Sequence, residues 1–169
     1  MTIQMSHSKT SEEIIKIPAI GLELSVRVDP STTGGEFCFI DTINAPGFGP
    51  PRHRHKETEV FRVMEGRYLF EVDGAQFYAE EGDVVTVPGG AAHAFVNVTD
   101  RPARQYILIA PGLDARAFFL GLAGVMRDGR PDAAALNVFA GTWDVEFLGP
   151  PLAVAEKELV LQGVTDDLS

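Results

Sequence analysis

Three histidines and one glutamate are spaced so that they could form a metal site. His53 and His55 alternate within the extended stretch "PRHRHKETEV" and so face the same side of a strand. Glu59 follows four residues after the pair, and His93 lies in a later strand-like segment. The chain has 4 histidines, and the remaining one, His7, is near the N-terminus. Imidazole nitrogen and carboxylate oxygen together suit Mn, Fe, Co, Ni, Cu or Zn, so we predict one divalent transition metal at this cluster.

The same residues also allow a plainer interpretation. The two adjacent histidines could belong to an exposed, charged loop, and His93 could be an ordinary core residue. A single histidine would favour that interpretation, but three with a carboxylate at these spacings favour the metal site. The charged neighbours Arg52, Arg54 and Glu57 are predicted to be solvated.

Composition narrows the possible partners. The 169 residues carry a net charge of −10, with 45% hydrophobic and 22% charged residues, which is typical of one globular domain. An excess of acidic residues argues against nucleic acid and against an anionic membrane surface as partners. Because Cys38 is the only cysteine, neither an intrachain disulfide nor a zinc–thiolate cluster is possible.

The N-terminal residues are polar and show no apolar core of a signal peptide, and no apolar run approaches membrane-spanning length. We therefore expect a cytoplasmic protein. Residues 1–12 are predicted to be a flexible arm, since nothing in them could anchor a core.

Residues 13–110 are predicted to form a β-barrel. Short segments rich in β-branched and aromatic residues, such as "LELSVRV", "EVFRVME" and "RQYILIA", alternate with turn-forming segments such as "NAPGFGPP" and "PGGAA". The pair Asp73–Gly74 in "VDGAQ" is typical of a two-residue hairpin turn. So many short strands indicate a sandwich or a closed barrel.

Residues 111–169 are predicted to be helices and a tail that pack on the barrel within the same domain. "LDARAFFLGLAGVM" has apolar residues at helical spacing, with Asp114 as a cap, and "RPDAAALNVFAGTW" is rich in alanine. The segment "WDVEFLGPPL" is interpreted as the helical end of this part.

The strand "HAFVNVT" has two apolar faces. If His93 points into the barrel, then Ala94, Val96 and Val98 point outwards and need a cover. The C-terminal helices or a second subunit could supply it, and we predict a homodimer.

Two segments resemble the two motifs of the cupin family. "GFGPPRHRHKETEVFRVMEG" has the glycine, the His-x-His pair, the glutamate and the closing glycine of the first motif. "GDVVTVPGGAAHAFVN" has the glycine, Pro-x-Gly, histidine and asparagine of the second. The resemblance implies an all-β, jelly-roll-type barrel with a short C-terminal helical appendix. It also implies His53, His55, Glu59 and His93 as metal ligands inside the barrel.

Within that family, "GPPRHRHKETEVF" and the C-terminal segment look most like quercetin-dioxygenase-like single-domain cupins. This implies a small aromatic or enolic substrate that reacts with dioxygen, with Glu59 as both ligand and proton-accepting base. A metal-dependent decarboxylase or isomerase and a non-catalytic small-molecule-binding cupin remain alternatives. Strand alternation offers these apolar residues for a substrate pocket: Phe48, Phe61, Val63, Tyr68, Phe70 and Phe95.

Overall fold

The structure, a computed structural model, describes residues 3, 5 and 13–154. Most of the predicted arm at residues 1–12 and the tail from residue 155 onwards lie outside the described residues. The strands are β1 (Ile15–Ile17), β2 (Leu22–Val28), β3 (Cys38–Asn44), β4 (Pro51–Arg54), β5 (Thr58–Glu65), β6 (Arg67–Val72), β7 (Ala75–Glu80), β8 (Val84–Val87), β9 (His93–Asn97), β10 (Ala103–Ala110) and β11 (Glu146–Pro151). The helices are α1 (Ala115–Val125) and α2 (Ala133–Gly141), and short 3-10 helices cover Pro18–Ile20 and Pro30–Thr33.

The strands form two antiparallel sheets that face each other. One sheet has the order β1-β2-β3-β10-β5-β8 and the other the order β11-β4-β9-β6-β7. Neighbours in both sheets are mostly distant in sequence, as in a jelly roll. The predicted fold class, an all-β jelly-roll barrel with two short helices near the C-terminus, is confirmed.

Alternation along the strands sets the inner faces of the barrel. In β5, Glu59, Phe61 and Val63 are buried while Arg62 is exposed, as the sequence pattern predicts. The predicted hairpin joins β6 to β7 through Asp73 and Gly74, whose φ angles are 47° and 83°. Positive φ at both positions is the requirement of a type I′ turn, which explains the Asp-Gly pair.

The two helices cover one open side between the sheets. Each begins at an aspartate. The predicted cap Asp114 accepts a hydrogen bond from the Ala117 backbone N–H at 3.0 Å, and Asp132, for which no cap was predicted, caps α2 in the same way. Their apolar faces and β1 form a second hydrophobic cluster that includes Phe118 and Leu122. No helix in the described part of the chain has the length and apolar character required to cross a bilayer.

The prediction that "WDVEFLGPPL" is helical is wrong. Residues 146–151 form β11, which pairs with β4 through Glu146 opposite Arg54 and Phe147 opposite His53. The strand alternates exposed and half-buried residues, and its Gly-Pro-Pro end cannot continue a helix. The C-terminal part therefore supplies an edge strand to the sheet that carries the histidines.

The outward face of β9 needs no second subunit to cover it. Ala94 and Val96 are both 0% exposed and Val98 is 2% exposed within the single chain. On the neighbouring strand, Glu71 stands opposite Ala94 and is itself buried. The homodimer was predicted in order to cover the outward face of β9. Because that face is already buried, it gives no support to the homodimer, which stays a prediction.

Candidate metal centre

Three chain segments bring the predicted ligands to one point. β4 and β9 meet where His53 stands directly opposite His93. Glu59 lies in β5 of the other sheet, and His55 follows β4 directly. One ligand atom from each of the four residues lies within 4.8 Å of those of the other three. The structure therefore gathers His53, His55, Glu59 and His93 into one cluster that could hold a metal ion.

Two of the rings are oriented by the backbone of their own strands. The Nδ1 atom of His53 lies 2.8 Å from the carbonyl oxygen of Pro51. The Nδ1 atom of His93 lies 3.0 Å from the carbonyl oxygen of Ala91. For both rings, the carbonyl oxygen belongs to the residue two positions earlier in the chain. The local backbone is therefore enough to orient each ring. A proton on Nδ1 leaves Nε2 with a free lone pair, the form that binds metal.

His55 instead faces a second carboxylate, at ion-pair distance and without hydrogen-bond geometry. Its Nδ1 atom lies 3.2 Å from Oε2 of Glu57. Glu57 is only 7% exposed, so the prediction that it is solvated is wrong. The loop before β9 buries it: the Gly90 N–H donates to the His55 carbonyl oxygen at 2.7 Å. A Cβ on Gly89 would stand 2.1 Å from the Lys56 carbonyl oxygen, so glycine permits this close packing.

The ligand atoms also interact with one another. Nε2 of His93 lies 3.0 Å and Nε2 of His55 3.6 Å from the same Oε2 atom of Glu59. Burial alone would raise the pKa of Glu59, but its interactions with the adjacent His55 and His93 rings outweigh burial and hold this pKa well below its usual range. Glu59 is therefore an anion that attracts a cation to this point.

The pKa values of two of the histidines move in opposite directions. Burial, together with nearby His93, lowers the pKa of His53 to about 3, so His53 is neutral. Burial also acts to lower the pKa of His55, but Glu59 and Glu57 outweigh it and raise this pKa above its usual value. A metal ion at this cluster would replace the proton that His55 shares with the two carboxylates.

The donor set fits a divalent transition metal. Three imidazoles with their Nδ1 atoms facing acceptors, and one buried carboxylate, supply three nitrogen ligands and one oxygen ligand. Four protein ligands leave coordination positions for small molecules on an ion that prefers five or six.

A cavity adjoins the cluster and extends away from it between the sheets. It contains about 900 Å³ of empty space, including its mouth. Of the predicted pocket residues, Phe61 and Phe95 line it. Val63, Tyr68 and Phe70 lie in the buried barrel core and are not among its lining residues, nor is Phe48.

Part of the cavity wall comes from elements that the sequence interpretation did not assign to a pocket. α1 contributes Phe118, Phe119 and Leu122, and β11 contributes Phe147. The apolar face of α1 was visible in the sequence, but the surface that it covers was not. The charged residues lining the cavity are Glu57 and Glu59, both at the metal cluster. The remainder of the lining is largely apolar, which favours a ligand with little charge.

Comparisons with known proteins agree with this fold. Residues 42–109 match the family model described as the cupin domain. A cupin from Shewanella frigidimarina described as RmlC-like superposes with a TM-score of 0.59 at 21% identity, covering 68% of this chain and 96% of that one. Together these findings show that residues 42–109 are similar to a cupin domain and that the chain has the cupin jelly-roll fold.

Two curated relatives match in sequence. Germin-like protein 2-4 of Oryza sativa subsp. japonica is 36% identical over 80 residues, which is 44% of this chain and 35% of the relative. The 5-nitrosalicylic acid 1,2-dioxygenase of a Bradyrhizobium species is 29% identical over 76 residues, 45% of this chain and 36% of that enzyme. The chain thus spans about a third of the length of the curated relatives it matches.

Proposed function

We propose that this protein is a metal-dependent cupin dioxygenase that acts on a small aromatic or enolic substrate. The observation that carries the proposal is the cluster of three histidines and Glu59 beside a mainly apolar cavity. The partial similarity to a dioxygenase of an aromatic acid supports the reaction class. A quercetinase-like reaction is the specific form that we expect.

In this proposal, His53, His55, Glu59 and His93 hold one ion of Fe, Mn, Ni, Cu, Co or Zn. Such an ion, when bound, supplies Lewis acidity and, if redox-active, electron transfer towards dioxygen. The apolar walls, among them Phe61 and Phe95, exclude water and hold the flat substrate. Glu59 Oε2 stands at the cluster, where it accepts the proton of an enol or phenol that binds there.

Metal binding is tested before catalysis. The full chain and the double variant His53→Ala plus His55→Ala are purified without added metal, and their bound metals are measured by elemental analysis. We expect stoichiometric metal in the parent protein and almost none in the variant. His7→Ala, which changes the histidine outside the cluster, is the matched control. Equal metal content in the parent and the double variant would refute the site.

Oxygen uptake tests the reaction. Protein reconstituted with Fe, Mn, Ni or Cu is given flavonols, catechols and β-diketones, and dioxygen consumption is compared with loss of substrate. We expect the two to proceed in equal amounts for at least one substrate class. Turnover that continues without dioxygen would favour a decarboxylase or an isomerase. Binding without turnover would favour a non-catalytic, small-molecule-binding cupin.

A cytoplasmic location and a homodimeric state accompany the proposal as predictions. Cell fractionation checks the first. Light scattering of the purified chain checks the second, and a monomeric mass would contradict it.

A further inference from the structure

The cavity ends in a group of polar residues remote from the metal cluster. Thr42 and Asn44 line it there and are 2% and 1% exposed. In β10, Ile109 stands opposite Glu59, whereas Gln105 stands opposite Thr42. Four residues along a strand correspond to about 13 Å, so the polar end lies about that far from the ligand layer.

Thr42 and Asn44 have unused hydrogen-bonding capacity. The Thr42 hydroxyl donates to the backbone carbonyl oxygen of Gln105 at 3.1 Å, and no hydrogen bond between described residues uses its own oxygen as acceptor. The Tyr68 hydroxyl donates to Oδ1 of Asn44 at 3.1 Å, which fixes the orientation of that amide. Within the described chain, the Nδ2 group of Asn44 then has no acceptor. One acceptor and one donor are thus left at the same end of the cavity.

Gln105 lies next to this group but does not line the cavity. The residue is 0% exposed, and neither Nε2 nor Oε1 has a hydrogen-bond partner among the described residues. It stands beside Thr42 in a strand whose other buried residues are Ala103, Ile107 and Ile109. The free groups that a ligand in the cavity can meet are therefore those of Thr42 and Asn44.

We propose that Thr42 and Asn44 form a second binding point for the substrate, which takes a hydroxyl group at the end opposite the metal. This inference rests on the proposed function, since it names the substrate class of the same cavity. A hydroxyl suits the two free groups because it donates to Oγ1 of Thr42 and accepts from Nδ2 of Asn44. Neither side chain is charged, so the group they bind is neutral.

The substrate class follows from the residues at the two ends of the cavity. One end of the molecule carries an oxygen that reaches the metal cluster, and the other carries a hydroxyl group. The part between them is apolar and flat, because Phe61, Phe95, Ile40 and Ile107 line the cavity between the two ends. A hydroxylated two-ring aromatic compound has this shape and polarity.

Binding of a matched pair of compounds tests the inference without turnover. The full chain is loaded with zinc, and its affinity for 4-phenylcatechol and for 4-(4-hydroxyphenyl)catechol is measured by calorimetry without dioxygen. We expect the second compound, which has the additional distal hydroxyl, to bind about tenfold more tightly. Thr42→Val should abolish this preference, whereas Thr42→Ser, which keeps the hydroxyl, should retain it. Because no reaction occurs, absence of oxygen uptake would refute the dioxygenase and leave this result unaffected.

Three outcomes would overturn the second binding point. They are equal affinity for both compounds in the parent protein, a preference that survives in Thr42→Val, and failure of both compounds to bind. Gln105→Leu is the matched control, because it removes a nearby buried amide that does not line the cavity. We expect this variant to keep the preference for the distal hydroxyl.

Discussion

Glu57 is predicted to strengthen metal binding although it is not one of the four ligands. Its Oε2 atom lies 3.2 Å from Nδ1 of His55, and the side chain is 7% exposed, so water does not screen the contact. Loss of a partner that orients a metal-binding histidine weakens metal binding by about 10- to 100-fold. Glu57→Gln keeps an acceptor but loses the charge, and we expect about tenfold weaker zinc binding. Glu57→Leu removes both, and we expect about a hundredfold, or about 2.7 kcal/mol.

The predicted effect depends on pH in a direction that the structure determines. Glu59 and Glu57 raise the pKa of His55 in the metal-free protein, so a proton competes with the metal there. At about pH 8 the competition is weakest, and the variants show their full loss of affinity. As the pH falls, His55 of the parent protein takes up a proton before that of Glu57→Gln does. The parent protein therefore loses zinc affinity sooner, and the difference between the two narrows.

Competition calorimetry with a zinc chelator, at a series of pH values, measures these affinities. Glu65→Gln is the matched control, because Glu65 is an exposed carboxylate in β5 away from the cluster. The control should bind zinc as the parent protein does. Equal zinc affinity of Glu57→Leu and the parent protein at about pH 8, or a difference that widens as the pH falls, would refute the reasoning.

Three further predictions concern stability. Burial lowers the pKa of His53 to about 3, so below about pH 6.5 the unfolded chain binds a proton at this residue that the native state does not bind. The free energy of unfolding of the metal-free protein should therefore fall on acidification, and it should fall less steeply in His53→Gln. Urea titrations at a series of pH values measure both. Phe118→Ala should cost about 3–5 kcal/mol by urea denaturation, because its buried ring projects from α1 and packs against Phe139 and Trp143. Leu120→Ala, at an exposed position, should cost much less. Asp114→Ala should cost about 1 kcal/mol through loss of the α1 cap, with Asp128→Ala as the neutral comparison; equal unfolding midpoints for the two would contradict the cap.

Local patterns made much of the barrel and its cluster predictable. Alternation places Glu59 inside and Arg62 outside, and positive φ favours Asp73–Gly74 at a turn. The candidate ligands stood out because His-x-His in an extended segment puts both rings on one face. Each of these inferences depends on a few adjacent residues, which is why the sequence sufficed.

Glu57 shows where such reasoning fails. In the sequence it stands among charged residues and looks solvated. In the structure the loop at Gly89 and Gly90, more than 30 residues later, closes over it and places it against His55. Burial of a charged side chain depends on what packs over it, and no local pattern records that.

The sequence by itself determined a sandwich or barrel of short strands, the four metal-ligand candidates and the cap of α1, because strand period, ligand chemistry and capping are local properties. The jelly-roll type was implied by the resemblance to the two cupin motifs. Only the tertiary structure decided that residues 146–151 add a strand beside β4, and that α1 closes the cavity. It also decided that Thr42 and Asn44 line the polar end of the cavity, about 13 Å from the ligand layer. These arrangements depend on pairing and packing between distant segments, whose energies appear only when the chain is folded.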